Sequence, residues 1–269
     1  MGASARPSTG PVASVKLTMI LPSGMVHAIE NTGVRAAEFI VAFSHEQPED
    51  FGLLKAFGAM SEWVLSNTFG FKFERSLDFE REPHGGAIFS LSAATPGEQQ
   101  SRHPNRLKYA IEASAPHVAS SAGSARTAQS SNWPVLEGIS MFSVRIRDNG
   151  MREPHWHPGT AEMGYVLEGE GRMTVLDPDD SAETYSIKAG DVYFVPPAYP
   201  HHIENTGGGT LHILVFFSRA DPQDIGYRAA AAGYGRSVTA AELDLAEYDL
   251  PPLPVDLNDP LIVAKAWNF

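Results

Sequence analysis

The chain of 269 residues contains no cysteine. Disulfide bonds are therefore excluded, and so are metal sites that depend on thiolate ligands. Any metal that the protein binds must be held by nitrogen and oxygen ligands, which means histidine imidazoles and carboxylates.

Positive charge is also scarce. Lys and Arg number 20 against 32 Asp and Glu, which gives a formal net charge of -12, and no run of basic residues occurs. Binding to nucleic acid or to an anionic membrane surface depends on such positive charge. We therefore expect no nucleic-acid partner and no membrane partner, and a small molecule or another protein instead.

Long apolar runs are missing as well. No stretch reaches the roughly 18 apolar residues that a membrane helix needs. The N-terminal MGASARPSTG lacks the apolar core of a signal peptide, so a cytoplasmic location is the simplest expectation, with an extracellular one left open. An apolar fraction of 43% with 19% charged residues is ordinary for a folded globular chain.

The sequence does contain an internal repeat. Shifted by 174 positions, LPSGMVHAIENTG at 21–33 aligns with VPPAYPHHIENTG at 195–207, and the match continues without a gap into the following loop. A chance match would not keep its register through a turn, a strand and a loop, so two related units are predicted. The first unit is incomplete: His155 precedes His201 by 46 residues, and its counterpart would fall at position -19.

The repeat and the local composition divide the chain into four predicted segments. They are a partial unit with later strands and a helix at 1–70, a linker at 71–105, a complete unit with a C-terminal helix at 106–245, and an extended tail at 246–269. Helices are expected at 49–66 and 224–246. A stretch rich in serine and alanine at 118–131 predicts a flexible surface loop.

From Arg106 onward, short strand-like runs are separated by turns. The runs are LKYAIEA, GISMFSVRI, AEMGYVL, GRMTVL, ETYSI, DVYFVP and TLHILVFF. Breakers such as Asp177-Pro178-Asp179-Asp180 separate them at the spacing of a sandwich or barrel. We predict an antiparallel all-β domain of about seven or more strands.

Four ligand-type side chains lie within this β domain. In an extended strand, His155 and His157 point to one face and Trp156 to the other, because side chains alternate. A turn is expected to bring the next strand, with Glu162, back alongside, and His201 follows a strand that ends at two prolines. Three imidazoles and one carboxylate suit Mn, Fe, Co, Ni or Zn better than Mg or Ca. Four protein ligands leave an octahedral metal two open positions, as a catalytic metal needs.

The two segments that carry these residues resemble the two cupin motifs. PHWHPGTAE with Arg152 upstream, and then GDVYFVPPAYPHHIEN, are closely similar to those of the bicupin oxalate decarboxylases and their germin relatives. The resemblance covers roughly 106–235, with 15–66 as a partial second copy. It implies a double-stranded β-helix, or jelly roll. In that family, the residues matching His155, His157, Glu162 and His201 bind manganese.

Arg152 has two interpretations. The resemblance implies that it orients an oxalate carboxylate beside the metal. Independently of the family, a guanidinium three residues before His155 could form a bidentate pair with a small carboxylate. The alternative is an ion pair with Glu153 or with a carboxylate at the surface.

The segment after the last barrel strand departs from the decarboxylases. These carry a lid glutamate in a Ser-Glu-Asn type segment, where this chain reads SRADPQDIGY. Asp221 and Asp224 are the carboxylates there, and Asp224 recurs as Asp50, which favours a helix cap. Asp221 is thus the expected proton carrier. A carboxylate that some members carry on the last strand is replaced by Val215.

Other polar and aromatic residues have simpler interpretations. His27 aligns with His201 but lacks companion ligands, so we expect a relic. Glu204 and Asn205 recur in the first unit, which suits a turn-stabilising role. The aromatic residues expected in the barrel core are Tyr165, Tyr193 and Phe194.

These observations favour a metal-dependent cupin enzyme that acts on a small carboxylate, as an oxalate decarboxylase or oxidase with Mn. One alternative is a non-catalytic metal- or ligand-binding cupin of the storage or sensor type. Another is an Fe-dependent dioxygenase. A partial unit exposes strand edges, which packing on the barrel or in a homo-oligomer would cover.

Overall fold

The alternating runs of the sequence form a jelly roll of two antiparallel sheets. The computed structural model describes residues 18–72, 88, 105–253 and 261–265. Its strands are β1 Thr18–Met19, β2 Lys108–Tyr109, β3 Val118–Ser120, β4 Gly123–Ala128, β5 Ser140–Ile146, β6 Gly150–Trp156, β7 Glu162–Glu168, β8 Glu170–Leu176, β9 Ala182–Lys188, β10 Val192–Val195, β11 His201–Asn205, β12 Leu211–Phe217, β13 Ile225–Gly226 and β14 Ile262–Ala264.

Two large sheets and one two-stranded pair account for these strands. The first sheet has the order β10-β7-β12-β5-β4-β3, and the second has β13-β6-β11-β8-β9 with β14 also paired to β6. β1 pairs with β2. The prediction of an all-β double-stranded β-helix is confirmed.

The core lies between the two large sheets, and alternation along the strands fills it. On β12, Ile213, Val215 and Phe217 join the main core, whereas Leu214 points to the other face of the sheet. There it packs in a second cluster with Trp133, whose indole stacks on Tyr109 at a ring-centroid distance of 5.2 Å. One sheet therefore buries apolar side chains on both of its faces.

The predicted loop at 118–131 is wrong, because β3 and β4 occupy most of it. Ala122 and Ala125 are buried in the main core. At Gly123 a β-carbon would lie 2.2 Å from the carbonyl oxygen of Arg145 on β5. The close approach of the two strands requires small residues here. The serine and alanine residues of this segment therefore reflect tight packing and not flexibility.

In the described ranges, four short α-helices lie outside the sheets, and a 3-10 helix follows β2 at Ile111–Ala113. The helix expected at 49–66 is divided into α1 Leu53–Gly58 and α2 Glu62–Phe69. The helix expected at 224–246 is divided into α3 Tyr227–Tyr234 and α4 Arg236–Glu242. Gly235 separates the latter two with a φ of 77°, which no helix residue adopts.

The C-terminal tail, predicted to be extended, contributes a strand. β14 pairs with β6, with Ile262 opposite Arg152, and the side chain of Ile262 is buried in the main core. Residues 254–260 and 266–269 lie outside the described part, as does most of the predicted linker at 71–105.

Of the later strands expected in the first unit, only the start of one is formed in the described residues: β1 corresponds to the first two residues of β10 by the repeat, and residues 20–52 contain no strand. β11 and β12 of the complete unit pair with β6, β8, β5 and β7. By the repeat, the counterparts of β5, β6 and β7 would precede residue 1 in this numbering. The amide of Ile20 donates to the carbonyl oxygen of Leu107, and the described residues from 21 to 52 form no strand pairing.

The described chain divides into two compact units, Met1–His27 with His103–Phe269, and Ala28–Arg102. The four-segment division made from the sequence stays a prediction. Across the described ranges, none of the helices has the length and apolarity that crossing a bilayer requires.

Candidate metal centre

The four predicted ligand residues meet inside the barrel. His155 lies on β6, His157 follows the last residue of that strand, and His201 begins β11 directly opposite His155. Glu162 begins β7. All four side chains are buried, at 1–4% exposure, and their ligand atoms lie within 4.8 Å of one another. Trp156 points the other way, against Tyr227.

Glu162 reaches the site by a different route from the one expected. β6 and β7 belong to different sheets, so the strand of Glu162 does not return alongside that of His155. The connection after His157 crosses from one sheet to the other, and Glu162 faces the histidines across the barrel interior. The two sheets therefore divide the ligand set between them.

Hydrogen bonds to main-chain carbonyls orient each ring. Nδ1 of His155 lies 2.7 Å from the carbonyl oxygen of Glu153, and Nδ1 of His201 lies 2.9 Å from that of Tyr199. Nδ1 of His157 lies 2.5 Å from the carbonyl oxygen of Gln223. A carbonyl only accepts, so each Nδ1 carries the hydrogen, and in the neutral ring Nε2 keeps a lone pair for a metal.

Two of the Nε2 atoms converge on one carboxylate oxygen. Nε2 of His157 and Nε2 of His201 lie 3.1 and 3.2 Å from Oε2 of Glu162. Metal–ligand bonds of about 2.0–2.2 Å place adjacent ligand atoms about 3 Å apart. Since neutral imidazoles would direct lone pairs at this oxygen, a proton on nitrogen or a cation between the atoms must stabilise the arrangement. The ligand set therefore fits a divalent transition metal.

The buried carboxylate and imidazoles shift one another's pKa values. Burial alone would raise the pKa of Glu162, but the neighbouring imidazoles of His201 and His157 hold it well below its ordinary value. Burial alone would lower the pKa of His157, which the hydrogen bond and charge of Glu162 raise instead. Burial, with Arg152 nearby, lowers the pKa of His155 well below its ordinary value. The site thus holds an ionised carboxylate among imidazoles.

Tyr193 was expected to be a core residue only, and it also contacts the site. Its hydroxyl donates to Oε1 of Glu162 at 2.8 Å. Its ring fills the space above Gly164, where a β-carbon would come within 2.1 Å of the ring. Burial, with the charge of Glu162, raises the pKa of Tyr193, so the phenol stays neutral and keeps its hydrogen. Tyr193 fixes one oxygen of Glu162 and leaves the other to the histidines.

Arg152 is buried, at 7% exposure, and has two partners within the chain. Nη1 donates to the carbonyl oxygen of Leu261 at 3.0 Å, and Nη2 donates to Oδ2 of Asp224. The interpretation of Asp224 as a helix cap is wrong: α3 has Gly226 as its N-cap, without a side-chain hydrogen bond. The carboxylate of Asp224 instead forms an ion pair with the guanidinium of Arg152.

Within the described ranges, the remaining candidates make no hydrogen bond or ion pair with the four ligand residues. Asp221 is exposed, and its side chain makes no hydrogen bond or ion pair in the described ranges. Val215 is buried in the main core. His27 is exposed, with Nδ1 near the carbonyl of Met25. Asn205 stabilises the turn after β11, as expected, by accepting from the Gly207 amide and donating to Gly209.

The profile of the Cupin family matches residues 109–248, which is more than half of the chain. The chain belongs to the cupin family. This cupin is 30% identical over 235 residues to the oxalate decarboxylase of Bacillus subtilis, an alignment covering 83% of this chain and 60% of that protein. It is 33% identical over 95 residues to a wheat oxalate oxidase, covering 34% of this chain and 42% of that one.

Solved structures agree with the sequence comparison. A structure of the Bacillus subtilis oxalate decarboxylase carrying the S161A mutation superposes with a TM-score of 0.65 and 27% identity, covering 80% of this cupin and 57% of that chain. Another structure of the same enzyme, with a TM-score of 0.63 and 26% identity, concerns its Mn(II) centres and covers 80% and 57% of the two chains. This cupin thus spans well under two thirds of the length of these relatives.

The sequence predicted the ligand set and missed the groups that support it. Gly164 in the middle of a strand was a signal for Tyr193, because an isolated glycine there indicates close approach of another group. Nothing local indicated the partners of Arg152, which lie 72 and 109 residues away in sequence.

Proposed function

We propose that this cupin binds one divalent transition metal, Mn²⁺ in the first instance, through His155, His157, Glu162 and His201. The observation that carries this proposal is the convergence of three imidazoles and one carboxylate in a buried space, with one ligand atom of each within 4.8 Å of the others. Each ring is oriented by a carbonyl, as ligand histidines in metal sites usually are. Fe, Zn, Ni and Co suit the same ligand set.

The proposed substrate is a small carboxylate, with oxalate as the specific case. Both the decarboxylase and the oxidase among the relatives are named for oxalate. Arg152, three residues before the first ligand, is the proposed anchor of one substrate carboxylate. When bound, the metal supplies a Lewis acid with coordination positions that the protein does not fill.

The chain's own residues would orient the substrate and exclude water. Tyr193 holds Glu162 in place through its hydroxyl. The Phe217 ring packs on His157 at a centroid distance of 4.8 Å and forms part of the apolar wall. In such a space, the guanidinium of Arg152 acts more strongly on a carboxylate than it would in water.

Decarboxylation of oxalate to carbon dioxide and formate requires one proton, which the reaction places on carbon. Asp221 is the proposed carrier, because it is exposed to solvent. Its side chain contacts none of the ligand residues, so this role requires movement of the segment after β12. Asp221→Asn should then lower formate production by about tenfold or more, with unchanged metal content.

Two measurements test the proposed function. Elemental analysis of protein purified without added metal identifies the ion. Oxalate consumption with Mn²⁺ is then followed with separate assays for formate and for hydrogen peroxide, the products of decarboxylation and of oxidation by dioxygen. Formate alone indicates a decarboxylase, and peroxide an oxidase. Bound metal without oxalate turnover favours the storage or sensor alternative, and iron favours the dioxygenase.

A further inference from the structure

The turn between β10 and β11, which we name the ligand turn, spans residues 196–199 and contacts two of the four ligand residues. The amide of Ala198 donates to the main-chain carbonyl oxygen of His157 at 2.8 Å. The carbonyl oxygen of Tyr199 accepts from the ring of His201 at 2.9 Å. Because His157 follows β6 and His201 begins β11, the ligand turn connects two ligand residues from different strands.

The main chain of His157 lies beyond the end of its strand. β6 ends at Trp156, which is opposite Ile225, and the last residue of β6 that is paired with β11 is His155. The amide of Ala198 therefore fixes the carbonyl of His157 at a point where, within the described residues, the pairing of β6 with β11 has ended.

Ala198 has a backbone conformation that residues with a β-carbon rarely adopt. Its φ is 67°. The amide of Tyr199 donates to the carbonyl oxygen of Pro196 at 3.4 Å, and the ring of Pro197 fixes a negative φ at the second position of the turn. A hydrogen-bonded turn with a positive φ only at its third residue is a type II turn, which usually has glycine there. Alanine keeps this conformation only where its surroundings hold it.

The first unit contains the same turn outside the barrel. By the repeat, Gly24 takes the place of Ala198, and its φ is 75°. The amide of Met25 donates to the carbonyl oxygen of Pro22 at 3.1 Å, which is the hydrogen bond of the ligand turn. Residues 20–52 contain no strand, so the local sequence is enough to form this turn. Glycine adopts it without strain. Ala198 is exposed, so packing does not account for the alanine of the ligand turn.

We propose that Ala198 is a positioning residue of the metal centre, which fixes His157 against His201 through its left-handed backbone. Rotation of the peptide bond before Ala198 would convert the turn to type I, with a negative φ, and would point the amide away from His157. The type II turn and metal binding therefore stabilise each other. The proposal rests on the proposed metal binding and adds the residue that holds two of the ligands in register.

Competition with a chelator for Mn²⁺ tests this role. Ala198→Val places a β-branched side chain, which strongly disfavours a positive φ, at an exposed position. We expect the metal affinity to fall about tenfold or more, as when other groups that orient a ligand are lost. Ala198→Gly accepts the positive φ and should keep the affinity that the valine variant loses.

Gly24→Val is the matched control, because it puts the same strain into the turn of the first unit, where a β-carbon meets no atom within 4 Å. It should leave the metal affinity unchanged. If Ala198→Val loses thermal stability and keeps the metal affinity of the unmodified chain, Ala198 has a structural role alone and the proposal is overturned. Ala198→Thr, which is also β-branched, replaces the valine variant should that one not fold.

Hydrogen exchange on metal-free protein tests the contact without any metal. After correction for the intrinsic rate of each residue type, the amide of residue 198 should exchange about tenfold faster in Ala198→Val than in the unmodified chain, which corresponds to about 1.4 kcal/mol. Gly24→Val should not change the exchange at 198. Equal protection in the valine variant contradicts the proposal. If the unmodified chain binds no Mn²⁺, the proposed metal site is wrong, and the exchange rates alone decide whether Ala198 holds His157.

Discussion

The three ligand histidines differ in what holds their rings. His155 and His201 each donate to a carbonyl two residues earlier in the same segment. Such a contact follows from local strand geometry and is made wherever the strand forms. His157 donates instead to Gln223, which is 66 residues away. Its orientation therefore depends on the segment 221–226 after β12, and the candidate metal centre is coupled to that segment through one ring.

Tyr193 gives a test of how Glu162 is positioned. Tyr193→Phe keeps the ring that packs over Gly164 and removes the hydroxyl that donates to Oε1. We expect metal affinity to fall about 10- to 100-fold, as is typical when a group that orients a ligand is lost. Competition with a chelator measures it.

Tyr165→Phe is the matched control, because that ring packs in the second cluster on the opposite face of the same sheet. It should leave the affinity unchanged. Equal affinities in the Tyr193 variant and the unmodified chain would show that Glu162 is held without the phenol.

At the scale of residues, spacing predicted the four side chains that cluster in the barrel, but it did not predict the residues that contact them. HxH on one strand forces two imidazoles to one face, whatever the rest of the fold does. The pairing of Arg152 with Asp224 depends instead on the path of the chain after β12. The expected helix cap failed because α3 begins at Tyr227, three residues after Asp224, and has Gly226 as its N-cap.

At the scale of elements, alternating apolar residues predicted the strands from β5 to β12. β3 and β4 were missed because their residues are small and mostly polar or alanine, so the sequence lacks the apolar alternation that indicates a strand. β14 was missed because a strand of three residues has no period to detect. It is formed by its partner β6, a contact of long range.

A buried polar network joins β5, β12 and the 3-10 helix on the outer side of the first sheet. Ser143 donates to Glu112 at 2.5 Å, and its oxygen lies 2.9 Å from Nε2 of His212. Arg145 forms an ion pair with Glu112 at 2.6 Å. Burial, with Arg145 nearby, lowers the pKa of His212 to about 4. The imidazole is therefore neutral in the folded protein above that pH.

This network predicts a loss of stability in acid. In the unfolded chain the pKa of histidine is about 6.5, so between pH 6.5 and pH 4 the unfolded state takes up a proton that the folded state does not. Because the pKa of His212 is about 4 in the folded protein, lowering the pH from 7 to 4.5 should reduce the free energy of unfolding by about 2–3 kcal/mol. Urea unfolding of metal-free protein at both pH values measures it.

Between pH 7 and pH 4.5, the free energy of unfolding of the His212→Gln variant should fall by about 2–3 kcal/mol less than that of the unmodified chain. His117→Gln, at an exposed histidine, should behave like the unmodified chain. If the variant at 212 and the unmodified chain lose the same free energy, the histidine titrates normally in the folded protein.

At the scale of the whole molecule, the two units differ in how their apolar residues are covered. The barrel has two buried clusters. In the smaller unit, large apolar side chains are exposed, among them Val34, Phe51 and Trp63 at 104%, 78% and 75%. Exposed apolar surface of this kind marks interaction sites or leads to aggregation.

We therefore expect self-association in solution. Size-exclusion chromatography with light scattering should give a mass of at least twice the 29.1 kDa of one chain. Replacing Val34 and Trp63 by serine should shift the protein toward the monomer, whereas replacing exposed Tyr248 on the barrel unit should not. A clean monomer for the unmodified chain would exclude the homo-oligomer.

Metal content tests the central claim most directly. Elemental analysis of protein purified without added metal, repeated after loading with Mn²⁺, should give about one transition-metal ion per chain. His155→Gln and Glu162→Gln should each reduce it to about one tenth or less, whereas His27→Gln should leave it unchanged. Substoichiometric metal in the loaded, folded, unmodified chain, or full occupancy in both ligand variants, would contradict the account.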